Sequence, residues 1–191
     1  MRIIAGKARR LPLKTVPGMD TRPTSDRIKE TLFNILSPWL PGSRFLDLFA
    51  GSGQMGLEAA SRGAQKAVFV ENSREAADCI RENIAFTKLS GSCTLLQKDA
   101  VSAIHWLEGK ESFDIVFLDP PYGKGLEKEA LQALAASSLI TEDSLVILEA
   151  RLDFMPDNVE DWGYLATRQK AYKTNQHIFL QLKHKNSGSE L

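Results

Sequence analysis

The tetrapeptide Asp119-Pro120-Pro121-Tyr122 places an acid, two prolines and an aromatic directly after an apolar run that ends at Leu118. A turn explains the prolines, which fix the backbone and remove donors, but neither the acid nor the aromatic. A second stretch, Arg44 to Gly56, reads RFLDLFAGSGQMG. Phe45, Leu46, Leu48 and Phe49 suit a buried parallel strand; Gly51, Ser52 and Gly53 suit a turn; Gln54 to Arg62 suits a helix. Strand, glycine turn and helix let the backbone approach a nucleotide-type ligand, and Gly51, Gly53 and Gly56 fit the G-x-G-x-x-G spacing. Asp47 selects among such ligands. A carboxylate here repels a pyrophosphate seated on the helix N-terminus, and it attracts a cation. Glu71 lies 20 residues after Gly51, where an acid can accept hydrogen bonds from ribose hydroxyls. Asp99 follows the third strand and can accept an adenine amino group while Ala100 offers its N–H to the ring; Asp99 can equally cap the next helix.

These residues need a frame, and the hydrophobic pattern supplies one. Residues 1–14 read as a small hairpin, Arg2 to Ala5 and about Leu11 to Lys14, with Pro12 confining the second strand to an edge. Thr15 to Pro23 reads as a loop with a turn at Pro17-Gly18, and Thr24 or Ser25 caps a helix reaching Leu36. Strands are then expected at Lys66–Glu71, Cys93–Lys98, Ser112–Leu118 and Ser144–Glu149. Helices are expected at Ser73–Thr87, Ala100–Leu107 and Leu126–Ala136, followed by an irregular segment, Asp153 to Asp161. Gly163–Tyr172 and His177–Lys183 read as a closing hairpin. Strands alternating with helices predict an α/β, doubly wound, mostly parallel sheet. The domain reading is a basic arm over 1–20, a main domain over 21–185 and a disordered tail over 186–191.

Asp-Leu-Phe-Ala-Gly-Ser-Gly resembles motif I of the class I methyltransferases that use S-adenosylmethionine (AdoMet), and Asp-Pro-Pro-Tyr resembles motif IV of the amino-group enzymes among them. The resemblance implies a Rossmann-like fold with a C-terminal antiparallel hairpin, and an AdoMet site at Asp47, Phe49, Gly51, Ser52, Gly53, Glu71, Asp99 and Ala100. It makes Asp119, Pro120 and Tyr122 the catalytic residues. An exocyclic amine on a base is a poor nucleophile because its lone pair is delocalised into the ring. The Asp119 carboxylate and the Pro120 carbonyl can hold the two amine hydrogens, aim the lone pair at the sulfonium methyl, and favour the charge that develops on nitrogen. Tyr122 offers a surface on which the base stacks.

RIIAGKARRLPL, TRPTSDRIKETLFNIL, FLDLFAGSGQMGLEAASRGA and LDPPY together resemble the RsmD family, whose members methylate guanine N2 at nucleotide 966 of bacterial small-subunit rRNA. The likeness runs from Arg2 to about Leu182, and the segment beginning Arg22-Pro-Thr-Ser-Asp-Arg is its most selective part. It implies that Arg22, Thr24 and Arg27 lie over the methionine end of AdoMet. Another amine acceptor, such as adenine N6, cytosine N4 or a glutamine side chain, and an inactive RNA-binding or assembly protein are the competing readings.

The charge distribution suits an RNA partner and equally suits two solvated, poorly ordered ends. The chain has 191 residues, with 24 Lys+Arg against 24 Asp+Glu. Residues 1–19 and 168–185 each hold five basic residues and no acid, whereas 20–167 holds 23 acidic against 14 basic ones. Lys7, Arg9, Arg10, Arg27 and Lys173 are the candidate RNA contacts, and the two basic ends would make one face if the fold joins them. No apolar run has transmembrane length and no signal peptide is recognisable, so a cytoplasmic monomer is expected. Cys79 and Cys93 lack ligand spacing, and His105, His177 and His184 cluster with nothing in sequence, so no metal is expected.

Overall fold

The computed structural model describes residues 1–16 and 25–183. Five short apolar runs make its parallel strands: β1 (Arg44–Asp47), β2 (Lys66–Val70), β3 (Cys93–Leu96), β4 (Ile115–Leu118) and β5 (Leu145–Arg151). Two longer strands, β6 (Tyr164–Ala171) and β7 (Asn175–Leu182), close the sheet as a hairpin. The order is β3-β2-β1-β4-β5-β7-β6, and β7 runs antiparallel to β5 and β6. This is the doubly wound sheet with a C-terminal antiparallel hairpin that the class I methyltransferase likeness implies.

Side chains alternate along each strand and so divide between two cores. Leu46, Leu48, Val68, Val70, Val116, Leu118, Val146, Leu148, Ile178 and Leu180 face α4 (Ala100–Leu107) and α5 (Leu126–Ala136). Phe45, Ile115, Phe117, Ile147 and Phe179 face α1 (Asp26–Leu36) and α2 (Gln54–Ser61). Ala67 and Phe69 pack beneath α3 (Arg74–Thr87) through Ile80. Ser25, Ser73 and Asp99 cap α1, α3 and α4 through their side-chain oxygens, each cap being worth about 1 kcal/mol.

Several expected boundaries move inward. β3 stops at Leu96 and β4 begins at Ile115, while β5 continues to Arg151 because β7 pairs with it that far. The irregular segment is a 3-10 helix, Pro156–Trp162. The N-terminal hairpin is reduced to one bridge, Arg2 with Pro12, since Pro12 has no N–H with which to extend a ladder.

That arm is bound tightly to α2. Lys7 N–H donates to Ser61 O at 2.8 Å, Ala8 N–H to Ser61 Oγ at 2.9 Å, and Ser61 Oγ–H to Ala5 O at 2.6 Å. Gly6 has φ +84°, and a Cβ there would stand 1.9 Å from Ser61 O. Only glycine satisfies both conditions. Ile3, Ala8 and Leu13 are buried with Leu57 and Phe69. Lys29, fully buried, donates to Arg2 O at 2.5 Å and lies 3.7 Å from Glu58.

Candidate active site

The strand order reverses between β1 and β4, and in a doubly wound sheet the crevice beyond the carboxyl ends of the strands at that point receives ligands. The chemistry-bearing residues collect there. Asp47 ends β1 and is 1% exposed. Its Oδ2 accepts the Gly56 N–H at 3.2 Å, and its Oδ1 is buried with no hydrogen-bond partner among the described residues. Burial, with the charge of Glu71 adding, raises the carboxyl pKa to about 7. A buried acceptor without a donor is costly, and a cationic group placed there would supply what it lacks.

The turn before α2 is shaped for close approach. Gly51 and Gly53 have φ +56° and +80°. Gly56 serves packing: a Cβ there would fall 2.3 Å from the Phe69 ring. Glu71 closes the turn, accepting Gly51 N–H at 2.8 Å and Ser73 N–H at 2.7 Å. Each oxygen keeps a second acceptor position for a ribose hydroxyl. Asp99 accepts Ser102 N–H at 2.8 Å, and those backbone donors lower its carboxyl pKa. Ala100 is buried behind it, Phe49 packs against the α4–α5 core, and Ser52 Oγ lies 3.2 Å from Met1 Sδ.

Asp119 follows β4 directly. Burial, then the charges of Glu149 and Asp47, holds its carboxyl pKa well above the usual range. Pro120 is buried, and Tyr122 is 44% exposed at the mouth of the crevice. Burial raises the Tyr122 hydroxyl pKa, and Glu149 and Asp119 raise it further.

Glu149 and His177 belong to this site although sequence reasoning assigned them no role there. Glu149, 5% exposed, accepts from Asn175 Nδ2, and its Oε2 lies 3.1 Å from His177 Nε2. His177 Nδ1 lies 3.1 Å from the Tyr172 hydroxyl. An acid in the apolar run Leu145–Ala150 was the available signal. Its partner became visible only through the β5–β7 register, which sets Glu149 opposite His177.

The other expected residues scatter. Arg22 and Thr24, the Pro17-Gly18 turn and the tail over 186–191 lie outside the described residues. Arg27 is exposed in the first turn of α1. Lys7, Arg9 and Arg10 are exposed at the arm's tip, beside Ser61, at the C-terminal end of α2. The eight residues of α2 separate that tip from the glycine turn by about 12 Å. Lys173 is exposed in the β6–β7 turn. The arm packs over β2 while β6 forms the far edge, so the two basic ends lie on different parts of the molecule. Cys79 and Cys93 are half-buried free thiols. Among the described residues no group of three or more His, Cys, Asp or Glu is disposed to hold a metal ion, and no helix is long and apolar enough to cross a membrane.

Comparison with known proteins gives a consistent result. The family model described as conserved hypothetical protein 95 matches residues 1–181. The ribosomal RNA small subunit methyltransferase D of Haemophilus influenzae is 36% identical over 168 residues, covering 86% of this chain and 86% of its own. The Escherichia coli K12 protein of the same name is 36% identical over 155 residues, covering 80% and 76%. The solved structure of Escherichia coli yhhF superposes with a TM-score of 0.81 at 33% identity, covering 96% of this chain and 98% of that one.

Proposed function

This chain belongs to the conserved hypothetical protein 95 family, the RsmD family, and on that premise we propose that it methylates the N2 amine of guanine 966 in bacterial small-subunit rRNA, using AdoMet. The observation that carries the reading is the convergence of Asp47 and Asp119, from adjacent parallel strands, on one crevice with Tyr122 at its mouth. Asp47 and Glu71 fit the cofactor: the buried, unpartnered Oδ1 of Asp47 suits a cationic group, and Glu71 suits the ribose. When bound, AdoMet supplies an electrophilic methyl group on a sulfonium and leaves as S-adenosylhomocysteine.

Asp119 and the Pro120 carbonyl hold the amine hydrogens and direct the nitrogen lone pair into the crevice. As the amine takes on positive charge, the Asp119 carboxylate stabilises it in a site from which water is largely removed. The rise in the Asp119 pKa gives that carboxylate the affinity to take up the proton the methylated amine releases. Tyr122 stacks on a base presented from a loop or flipped from a helix, at a cost of a few kcal/mol. The basic residues Lys7, Arg9, Arg10, Arg27 and Lys173 meet flanking phosphates. The partner is then rRNA in the assembling small subunit, encountered by a cytoplasmic monomer.

The test is nucleoside analysis of 16S rRNA from a deletion strain complemented with variants. Asp119→Ala should retain AdoMet binding and lose on the order of a hundredfold or more in turnover, and Asp119→Asn should retain more activity than Ala. N2-methylguanosine unchanged in the deletion strain, or fully restored by Asp119→Ala, refutes the reading.

A further inference from the structure

The N-terminal arm reaches both ends of α2. Its tip is tied to Ser61, the last residue of that helix. Its root, Met1 with residues 13–14, lies beside the glycine turn that precedes the helix. Leu13 is buried and donates its N–H to Met1 O at 3.1 Å. Asn83 of α3, only 1% exposed, joins this root to the turn. Its Oδ1 accepts the Lys14 N–H at 2.9 Å. Its Nδ2 donates to Lys14 O at 3.1 Å and to Ser52 O at 3.0 Å. The amide pairs with the Lys14 backbone as a neighbouring strand would, and gives its second hydrogen to the turn. The reverse orientation would set an oxygen against two carbonyls.

The turn needs such a hold. Ser52 stands between two glycines at positive φ, and glycine restrains the backbone least. The shape of the turn therefore depends on bonds from outside it. Ala50 N–H donates to Val70 O at 3.0 Å and Gly51 N–H to Glu71 Oε2 at 2.8 Å, both at the end of β2. Asn83 adds a hold from α3 on the Ser52 carbonyl, and so on the plane of the Ser52–Gly53 peptide. The Lys14 backbone fixes which way the Asn83 amide points. The Lys14 side chain takes no part, since it pairs with Glu82 at the surface.

We propose that Asn83 is a positioning residue for AdoMet: by joining the Lys14 backbone to the Ser52 carbonyl it holds the glycine turn in the shape that receives the cofactor. The root of the arm then belongs to the framework of the cofactor site, whatever its tip does with RNA. This rests on the AdoMet reading above and adds to it a dependence of cofactor affinity on the arm's attachment. Asn83 acts through Ser52, so it should affect binding of the cofactor and not the methyl transfer that follows. The coupling runs both ways: a ligand that keeps the turn in its bound shape also keeps the pairing of Asn83 with Lys14 closed.

The experiment compares the full-length wild type with Asn83→Ala, which removes the amide, and Asn83→Asp, which keeps its size but sets an oxygen against both carbonyls. Calorimetry on the folded protein should show AdoMet and S-adenosylhomocysteine bound about tenfold more weakly by each variant. KM for AdoMet should rise in step, with kcat at saturating AdoMet little changed. Lower stability in urea with unchanged AdoMet affinity would assign Asn83 to folding alone and overturn the inference. Amide hydrogen exchange on the wild type gives a second reading that needs no variant. Saturating S-adenosylhomocysteine should slow exchange of the Lys14 N–H severalfold and leave the Lys7 and Ala8 N–H groups, bound to Ser61 at the tip, as they were. No slowing at Lys14, or the same slowing at all three, would overturn the inference. A wild type that binds neither AdoMet nor S-adenosylhomocysteine would instead refute the cofactor reading, and this inference with it.

Discussion

Glu58 on α2 lies two residues from Gly56, whose N–H reaches Asp47, yet the two acids are treated in opposite ways. Glu58 accepts Ile4 N–H at 2.7 Å, Ala5 N–H at 3.0 Å and Arg62 Nε–H at 2.7 Å, and faces Lys29 at 3.7 Å. Its carboxylate is buried and saturated. Asp47 takes the Gly56 N–H on one oxygen and leaves the other orphaned among the described residues, with the charges of Glu71 and Asp119 nearby. Buried charge is tolerated where it is paired and hydrogen-bonded. The Glu58 group therefore reads as fastening, holding the N-terminal arm to α1 and α2. The Asp47–Asp119–Glu149 group gathers like charge at the crevice, a feature that accumulates at functional sites and that a cation relieves.

The largest expected effect tests the fastening. Glu58→Ala leaves Lys29 buried without its counter-charge. Burial already lowers the Lys29 pKa, with Glu58 as the main opposing influence. Removing one partner of a buried pair costs about 3–5 kcal/mol. Urea denaturation should show a loss of that size, with AdoMet affinity of the folded fraction little changed. A loss below about 1 kcal/mol would mean that Glu58 is no fastening.

Asp47 should behave in the opposite way, losing ligand and gaining stability. Its folded pKa of about 7 stands above the ordinary 3.8, so the folded state holds the proton more tightly than the unfolded chain. Stability is then lost as pH rises from about 4 through 7, by roughly 1.4 kcal/mol for each pH unit between those limits. Asp47→Asn removes that dependence. It should be more stable than wild type at pH 8 by up to a few kcal/mol, about equal at pH 4, and should bind AdoMet at least tenfold more weakly by calorimetry. A variant no more stable than wild type at pH 8 would break the comparison.

Strand and helix periodicity made most of the fold legible, because β1, β2, β4 and β5 are apolar runs separated by cappable helices. The glycine turn and Asp-Pro-Pro-Tyr were legible because their chemistry lies in local spacing. What escaped depends on register or long-range contact. His177 has no neighbour in sequence with which to cluster, and its partners Glu149 and Tyr172 meet it through strand pairing and a hairpin turn. Lys29 reads as one more charge in a helix until the arm folds over it. The arm itself looked like an appendage, since neither Glu58 nor Ser61 signals in sequence that its acceptor groups face residues 4–8.

The smallest effect on the protein itself, and the one that sharpens the contrast between its two ends, concerns Arg9 and Arg10. Both are exposed at the arm's tip, beyond the C-terminal end of α2, and Glu58 anchors the segment that leads to them. If the arm serves RNA, its rigid attachment fixes where those charges stand relative to the crevice at the other end of α2. Replacing both arginines by alanine removes no buried contact, so stability should stay within about 0.5 kcal/mol. Arg10 has φ +71°, and alanine at that position bears much the same backbone strain. AdoMet affinity should not move, because neither residue touches the glycine turn, Glu71 or Asp47. Affinity for small-subunit rRNA should fall, and the slope of log affinity against log salt should flatten by about two units if each arginine neutralises one phosphate. A neutral result on stability and cofactor binding with a reduced salt slope would divide the labour cleanly, the acids at one end of α2 serving the reaction and the cations at the other serving the rRNA. An intact salt slope would leave the arm as a purely structural clasp, and would move the search for phosphate contacts to Lys173 and the exposed Arg168 and Lys170 of β6.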